Sequence, residues 1–296
     1  MTVAMDQFAP GAVAAVNHHP WDAVAEGWNQ HAVLIHDWLL QATTSMLDEA
    51  RIGSGSRVLD IAAGAGDQTL EIARRVGASG WVLATDIAPG LLALAEKNAR
   101  TAGLLQIATQ LADAESLGME GADFDSAVCR LGLMFCRKPL AALSGIRAAL
   151  KPGGRFSAIV FTEPQRNPCL VIALNTARKH AGFASFSNGG SGVTCEPGSL
   201  MSLGKPDLFR ELLQTAGFTD VQIRHVSAPF HAPTVTHYTD FLRASALPVI
   251  EILAPLSAAV KERAWADITE ELNVFSLASG WAGPNELLLA NATAPS

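Results

Sequence analysis

The sequence predicts an α/β fold in which a mostly parallel sheet of seven strands carries helices on both faces. Within residues 51–162, short apolar stretches of strand length alternate with stretches whose apolar residues recur at helical spacing. Two further strand-like stretches follow nearer the C terminus. Alternation of strand and helix at this pace is typical of parallel sheets, because each pair of parallel strands needs a crossover connection.

The predicted elements follow one another in a regular order. The strands are short and largely apolar: Arg57–Ile61, Trp81–Ala84, Gln106–Leu111, Phe124–Cys129, Arg155–Phe161, Phe218–Val226 and Glu286–Ala292. Helical spacing predicts helices over Asp67–Val76, Pro89–Ala102, Pro139–Leu150, Leu170–Lys179 and Lys205–Ala216, and over much of 235–272. The stretch "LKPGG", Leu150–Gly154, is predicted to end a helix and turn into the fifth strand.

These elements indicate a core with inserted segments. We expect an N-terminal arm with a helical lid over 1–50, including two short helices in Trp21–Ala50, and a ligand-binding core over 51–162. A lid insert follows over 163–204; its Gly/Ser-rich stretch Ser185–Ser199 is long enough to favour a lid or binding loop. Residues 205–296 are expected to complete the sheet and to carry a helical insert over 227–284.

The composition argues for a globular protein that acts on a small molecule. The chain has 296 residues, 49% hydrophobic and 17% charged, with a net charge of −7 and no run of Lys or Arg, so nucleic acid is not an expected partner. The apolar stretch Leu247–Val260 is interrupted by prolines and is too short to span a bilayer. No Lys or Arg precedes Arg51, whereas a targeting peptide begins with such residues, so we predict a cytoplasmic protein without a membrane partner. The sequence does not decide whether the protein forms a homodimer.

The four cysteines are Cys129, Cys136, Cys169 and Cys195. They show neither C-x-x-C spacing nor a histidine at metal-site spacing. We therefore expect thiols and no metal site.

A glycine-rich turn follows the first predicted strand, in "VLDIAAGAGDQTL", Val58–Leu70. Gly64 and Gly66 would let the backbone approach a ligand closely, and the helix beginning near Asp67 would direct its unpaired amides toward it. In open parallel sheets, ligands bind beyond the carboxyl ends of the strands, where the strand order reverses. The sequence therefore predicts a ligand site beside this turn.

Acidic residues follow the first three strands and indicate the ligand's chemistry. They are Asp60, Asp86 and Asp113. Gly66 and Asp86 are 20 positions apart, the spacing at which an acid reaches a ribose hydroxyl. A cofactor that contains ribose is therefore expected.

A nicotinamide dinucleotide matches this turn less well than a cationic cofactor does. The dinucleotide fingerprint G-x-G-x-x-G, counted from Gly64, would place its third glycine at Thr69. Asp60 and Asp67 would also repel a diphosphate at the mouth of the turn. A nicotinamide oxidoreductase is thus the weaker alternative.

Five segments in order resemble class I S-adenosylmethionine-dependent methyltransferases. "LDIAAGAGDQT" resembles the first motif of that family, with Ala62 in place of its first glycine, and "ATDIAPGLLALAEKNA" and "LADAESL" resemble the second and third. "FDSAVCRLGLMFCRKPLAALSGIRAALKPGGRF" is similar to a segment of the ubiquinone/menaquinone-biosynthesis-like subgroup, and "SLGKPDLFRELLQTAGF" matches it weakly. The resemblance implies a Rossmann-like fold, S-adenosyl-L-methionine as the cofactor and methyl transfer.

The resemblance also implies a set of cofactor-binding residues. Asp86 would hold both ribose hydroxyls, Asp113 the adenine amino group, and Arg130 would line the cleft at the end of the fourth strand. The full set is Trp28, Asp60, Ala62, Gly64, Ala65, Gly66, Asp86, Ile87, Asp113, Ala114 and Arg130. Three of these residues have a plainer alternative: Asp86 could cap the following helix, Asp113 could be a solvated loop acid, and Arg130 could pair with a neighbouring acid.

The segment "WDAVAEGWNQH" resembles a helical piece that closes over the cofactor in related enzymes. Trp21 or Trp28 would then face the sulfonium, where a cation–π contact contributes about 1 kcal/mol. His31 follows the two tryptophans and is the candidate general base. Transfer to carbon or to a thiol without any base is the alternative.

The acceptor is predicted to be a small apolar or aromatic molecule, methylated at O, C or N. The N-P-P-Y tetrapeptide of DNA amino-methyltransferases is absent, since residues 129–132 read CRLG. The inserts also carry aromatic residues: Phe183, Phe186, Phe230, Tyr238, Phe241, Trp265, Phe275 and Trp281. A cofactor-binding cyclase and a non-catalytic cofactor-binding module are the alternatives.

Overall fold

The computed structural model describes residues 19–119, 121, 123–183 and 195–295. The predicted arm over 1–18 lies outside the described residues. So do residues 184–194, which include most of the Gly/Ser-rich stretch, and Phe186 among the predicted aromatic residues.

Seven strands form the main sheet, as predicted. They are β1 (Arg57–Ile61), β2 (Trp81–Asp86), β3 (Ile107–Leu111), β4 (Phe124–Arg130), β5 (Leu150–Phe161), β6 (Thr219–Ser227) and β10 (Glu286–Thr293). Their order is β3-β2-β1-β4-β5-β10-β6. Strands β1 to β5 pair in parallel, whereas β10 runs antiparallel to both β5 and β6. The sheet is therefore Rossmann-like and mostly parallel.

In the described residues, ten α-helices flank the strands or build the inserts. They are α1 (Ala25–Gln30), α2 (Ala32–Glu49), α3 (Asp67–Val76), α4 (Pro89–Thr101), α5 (Pro139–Ala149), α6 (Pro168–His180), α7 (Pro206–Thr215), α8 (Val235–Ser245), α9 (Leu247–Leu253) and α10 (Ala258–Leu272). A 3₁₀ turn over Pro20–Val24 precedes α1. Helix α2 is longer than predicted because its apolar residues keep helical spacing over 18 residues, and Ile35, Leu39 and Met46 are buried.

Strand β5 begins earlier than the sequence predicted. Leu150 pairs with Phe124, and the amide of Gly153 donates to the carbonyl of Ala294 at 2.9 Å, so "LKPGG" belongs to the strand. A register shift in the pairing with β4 accommodates the glycines, and Gly153 has φ 76°. The prediction of a turn here was wrong because these pairings with distant strands outweigh the local turn signal.

A second, three-stranded sheet lies within the insert predicted to be helical. It consists of β7 (Phe230–Ala232), β8 (Ser276–Leu277) and β9 (Gly280–Gly283), in the order β7-β9-β8. Strands of two to four residues are too short to show alternation, and two of the four residues of β9 are glycine. This sheet therefore could not be predicted from local sequence patterns.

No helix in the described part of the chain is long and apolar enough to cross a bilayer. Cys129, Cys136 and Cys169 are buried thiols. Burial raises the pKa of Cys136 and of Cys169 to about 12, so these thiols are protonated at neutral pH.

Candidate active site

A cavity of about 910 Å³ opens at the carboxyl edge of the main sheet. Strand β1 lies between β2 and β4, so the chain order reverses at this point. Residues at or just beyond the carboxyl ends of the first five strands line the cavity, among them Ala62, Asp86, Asp113, Leu131 and Phe161. The sheet topology thus brings together side chains that are far apart in the sequence.

The glycine-rich turn has the conformation that its composition predicts. Gly64 has φ 60° and Gly66 φ 90°, values that favour glycine. Gly64 lines the cavity, and nothing lies within 4 Å of the position that a side chain would occupy. Gly66 does not line the cavity; a Cβ there would meet Ala95 of α4 at 3.0 Å. Gly64 therefore leaves room for a ligand, whereas Gly66 lets α4 pack closely.

Ala62 stands where the family motif has its first glycine, and it has φ 53°. This left-handed conformation is strained for an alanine. Gly132, which follows β4, makes room for the Ala62 methyl group, because a side chain at Gly132 would overlap it. Leu131 is also left-handed, with φ 57°. Strained residues thus meet at the ends of β1 and β4, a placement typical of functional sites.

Asp86 is the most constrained acid of the cavity wall. Its Oδ2 accepts from the amide of Gly64 and its Oδ1 from the amide of Ala88, both at 2.9 Å. Burial raises its pKa. Each carboxylate oxygen has a second lone pair, so two hydroxyls of a ribose could still be bound. Ile87, the next residue, also lines the cavity.

Asp113 both caps a short helical turn and lines the cavity. Its Oδ1 accepts from the amide of Glu115 at 2.9 Å and caps the 3₁₀ turn Ala114–Ser116. Both Asp113 and Ala114 line the cavity. Its second carboxylate oxygen is therefore available for a ligand's amino group.

Asp60 is fully buried and does not line the cavity. Its carboxylate accepts from Gln68 Nε2 and, at 2.6 Å, from Thr69 Oγ1, which ties α3 to β1. Burial raises its pKa to about 7. Asp60 thus stabilises the start of α3 without reaching the cavity. Gln68, which donates to Asp60, does line the cavity.

Arg130 and Asp67 form an ion pair at the cavity wall. Arg130 Nη2 lies 2.8 Å from Asp67 Oδ2, and its Nη1 donates to Thr43 Oγ1 at 2.9 Å. Because Asp67 is paired and Asp60 is buried, the predicted repulsion of a diphosphate by these two acids is weaker than the sequence indicated. The acids alone do not identify the ligand.

Residues 20–30, which we call the lid segment because a lid was predicted here, are fastened to the core beside the turn. Asp22 Oδ1 accepts from the amide of Gly90 at the start of α4, at 2.7 Å. Asn98 Nδ2 donates to Asn29 Oδ1 of the lid segment and to the carbonyl of Ala65, both at 2.9 Å. Asn98 links the lid to the glycine-rich turn, a role the sequence did not reveal because it depends on tertiary contact.

The two tryptophans and His31 of the lid region are placed differently. Trp21 and Trp28 both line the cavity, and Trp28 Nε1 donates to the carbonyl of Ser245 at 3.1 Å. His31 does not line the cavity; its Nδ1 lies 2.8 Å from the carbonyl of Gly27, and its ring packs on Phe241. The structure therefore places His31 outside the cavity wall.

Five aromatic side chains line the cavity beyond β4, and we call them the aromatic end: Trp38, Phe161, Phe230, Tyr238 and Phe241. Phe230 lies at the centre, with ring centroids 4.8 Å from Tyr238 and 5.1 Å from both Trp38 and Phe241. Trp38 also stacks on Phe161 at 6.1 Å. Burial raises the pKa of Tyr238, so its hydroxyl stays protonated.

Only part of the aromatic end was visible in the sequence. Phe230, Tyr238 and Phe241 were predicted, whereas Trp38 of α2 and Phe161 at the end of β5 were missed. The other predicted aromatic residues in the described segments do not line the cavity: Phe183, Trp265, Phe275 and Trp281. Helical spacing alone does not distinguish a core ring from a cavity ring.

Comparison with known proteins identifies the core. Residues 58–154 match the family model for a methyltransferase domain. The UbiE ubiquinone/menaquinone biosynthesis C-methyltransferase of Idiomarina loihiensis is 29% identical over 189 residues, which cover 61% of this chain and 73% of that enzyme. The corresponding enzyme of Salmonella paratyphi B is 28% identical over 190 residues, 62% of this chain and 74% of its own.

Solved structures share the fold at low sequence identity. Phosphoethanolamine N-methyltransferase 2 of Haemonchus contortus, solved with S-adenosyl-L-methionine, superposes with a TM-score of 0.57 and 14% identity, covering 94% of this chain and 60% of its own. The [4+2]-cyclase SpnF superposes with a TM-score of 0.54 and 17% identity, covering 93% and 96%. Residues 58–154 thus carry a methyltransferase domain, and the chain is similar to UbiE C-methyltransferases over about three fifths of its length.

Proposed function

We propose that the enzyme methylates an apolar, aromatic small molecule held in the aromatic end of the cavity. The observation that carries this proposal is that one cavity joins two chemically different regions. Asp86 and Asp113 lie at the ends of β2 and β3, whereas the aromatic end lies beyond β4, over the end of β5. A polar cofactor suits the first region and an apolar acceptor suits the second.

The residues of the first region fit the cofactor. Asp86 would hold the ribose hydroxyls, and Asp113 and Ala114 would hold the adenine. The space beside Gly64 would admit the part of the cofactor that lies against the backbone of the turn. Ala65, Ile87 and Trp28 would complete the wall. The cofactor, when bound, supplies an electrophilic methyl group on a positively charged sulfur.

The chain's contribution to the chemistry would be alignment and the exclusion of water. Rings such as Trp38 and Phe161 would hold a planar acceptor in a fixed orientation, and a reactant so held needs little further organisation. The lid segment would cover the cofactor and keep water from the reacting atoms.

A carbon atom of an electron-rich ring is the acceptor that this site suits best. Of the histidines in the described segments, His19 is the one that lines the cavity, and it lies near Asp86 rather than in the aromatic end. Tyr238 is protonated. Because no side chain of the aromatic end is suited to remove a proton, an acceptor that needs no strong base is favoured. The UbiE relatives are named as C-methyltransferases, which agrees with this choice.

A cofactor-dependent cyclization is the second candidate, because the cyclase SpnF shares the fold. Product analysis with a panel of naphthalenediols and hydroquinones separates the two. We expect S-adenosylhomocysteine and methylated product to form in equal amounts. Conversion of an acceptor without S-adenosylhomocysteine would favour the cyclase, and tight cofactor binding without turnover of any acceptor would favour a non-catalytic module.

Trp38→Leu tests the acceptor site within the same assay. Losing this ring should raise the KM for the acceptor at least tenfold, about 1.4 kcal/mol, and change cofactor affinity less than threefold. Trp265→Leu is the matched control, because Trp265 is buried but does not line the cavity. An unchanged KM in Trp38→Leu would contradict the placement of the acceptor.

A further inference from the structure

Asn285 is a buried polar residue in the wall of the cavity. It lies between β9 and β10 and is 5% exposed. Its carbonyl oxygen accepts from the amide of Ala228 at 2.9 Å. The carbonyl of Ala228 in turn accepts from Trp38 Nε1 at 2.9 Å. Asn285 and Trp38 thus both hydrogen-bond to the backbone of Ala228, which places Asn285 beside the aromatic end.

The side-chain amide of Asn285 is only half satisfied. Its Nδ2 donates to the carbonyl of Gly283 at 3.3 Å. Its Oδ1 is buried and has no hydrogen-bond partner among the described residues. A buried acceptor without a partner costs free energy, so an additional donor at this position would be stabilising.

Asn167, a second buried asparagine nearby, shows what a purely structural role looks like. Its Nδ2 donates to Thr162 Oγ1 at 2.9 Å, and its Oδ1 accepts from the amide of Glu286 at 3.0 Å. Asn167 is fully buried and does not line the cavity. The two asparagines flank the start of β10, yet only the one in the cavity wall has an oxygen without a partner.

We propose that Asn285 Oδ1 accepts a hydrogen bond from a hydroxyl group on the aromatic methyl acceptor and thereby fixes which edge of the ring faces the cofactor. The terminal torsion of asparagine is broad, so the amide can turn toward a bound ring. Since the surrounding rings are apolar, one polar contact is enough to select a hydroxylated ring over an unsubstituted one. This inference rests on the proposed function, because it requires an aromatic acceptor in the same cavity.

Two probes of similar shape test the contact without any need for turnover. The affinities of 2-naphthol and of 2-methylnaphthalene are measured by calorimetry with the protein saturated with S-adenosylhomocysteine. In Asn285→Leu, the affinity ratio of 2-naphthol to 2-methylnaphthalene should fall at least fivefold from its wild-type value. The affinity for 2-methylnaphthalene itself should be retained or increased, because the unpartnered oxygen is gone.

Tyr238→Phe is the matched control, since it removes the hydroxyl of the aromatic end and leaves Asn285 in place. The affinity ratio of 2-naphthol to 2-methylnaphthalene in this variant should stay within twofold of wild type. If the ratio falls in Tyr238→Phe instead of Asn285→Leu, the assignment to Asn285 is overturned. A ratio unchanged in Asn285→Leu, with both probes bound, overturns this inference and leaves the proposed function standing. If neither probe binds the wild-type protein, the aromatic acceptor site fails and this inference fails with it.

Thermal unfolding checks that a change in the affinity ratio does not come from loss of the fold. Asn285→Leu should unfold within a few degrees of wild type, because it removes a buried group whose oxygen has no partner. Should the leucine variant not fold, Asn285→Ala provides the same ratio with a smaller side chain. A preserved ratio in that variant would overturn the proposal equally.

Discussion

The methyl group of Ala62 lies against the backbone of Gly132, in the space that any side chain at Gly132 would fill. Ala62 follows β1 and Gly132 follows β4. The contact therefore joins the two chain segments that leave the sheet where the strand order reverses. The chain has thus replaced one glycine of the turn and depends on another glycine, 70 positions later, to accommodate the replacement.

A double-mutant cycle should detect this dependence. Gly132→Ala should lower the free energy of unfolding by about 2 kcal/mol, because the new methyl group overlaps that of Ala62. In an Ala62→Gly background the same change should cost at least 1 kcal/mol less. Urea unfolding of the four proteins measures this coupling. Additive effects would show that the two residues do not share the space.

Asp86→Ala should weaken binding of S-adenosylhomocysteine at least tenfold, about 1.4 kcal/mol, because two hydrogen bonds to a charged acceptor are lost. Isothermal titration calorimetry measures the affinity. Asp125→Ala is the control, since Asp125 lies near the start of β4, at the opposite edge of the sheet, and pairs with Lys151. Equal affinities in the two variants would refute the role of Asp86.

The stability of the protein should depend on pH through Asp60. Burial raises the pKa of this carboxyl from 3.8 to about 7, so the folded state holds a proton that the unfolded state has lost. The contribution of Asp60 to stability therefore falls as the pH rises from about 4 to about 7 and stays low above that range.

Asp60→Asn should remove this dependence. The variant should gain about 2 kcal/mol relative to wild type between pH 5 and pH 8 in urea unfolding. Gln68 Oε1 has no partner among the described residues and could accept from the new amide. Asp125→Asn serves as control: partial burial raises the Asp125 pKa, but hydrogen bonds from Lys151 and the Arg57 amide lower it overall. Its effect should be the same at both pH values, and a flat difference for Asp60→Asn as well would contradict the prediction.

Opening the lid segment should affect turnover more than cofactor binding. Asn29→Ala removes the contact with Asn98 and should lower kcat several-fold while the affinity for S-adenosylhomocysteine changes less than threefold. Gln30→Ala is a matched neighbour, because Gln30 is exposed and bonds to Glu26 of its own helix. Equal kcat values in both variants would argue against a lid. Deletion of residues 1–30 should likewise reduce turnover more than it weakens cofactor binding.

The central strands of the main sheet were predictable because they are largely buried and mostly apolar. Leu59 and Val82, for example, are completely buried. The short strands of the second sheet were not predictable, since Ser276–Leu277 and Gly280–Gly283 depend on pairing with each other and with Phe230–Ala232. Elements that form only through distant pairing leave little trace in local periodicity.

The residues of the candidate site were likewise predictable only in part. Asp86 and Asp113 were predictable because parallel strands end at one edge, so an acid at the end of each strand reaches the same cavity. The placement of His31 outside the cavity, the link through Asn98 and the exposure of Trp38 to the cavity depend on how helices pack. Sequence spacing gives the face of a helix but not the neighbour that the face meets.

A crystal structure of the complex with S-adenosylhomocysteine tests the central claim most directly. The nucleoside should lie at the carboxyl edge of the sheet, its ribose hydroxyls within hydrogen-bond distance of Asp86 and its adenine beside Asp113 and Ala114. Its sulfur should face the aromatic end. A nucleoside bound elsewhere, or one whose ribose makes no contact with Asp86, would contradict the assignment of this cavity.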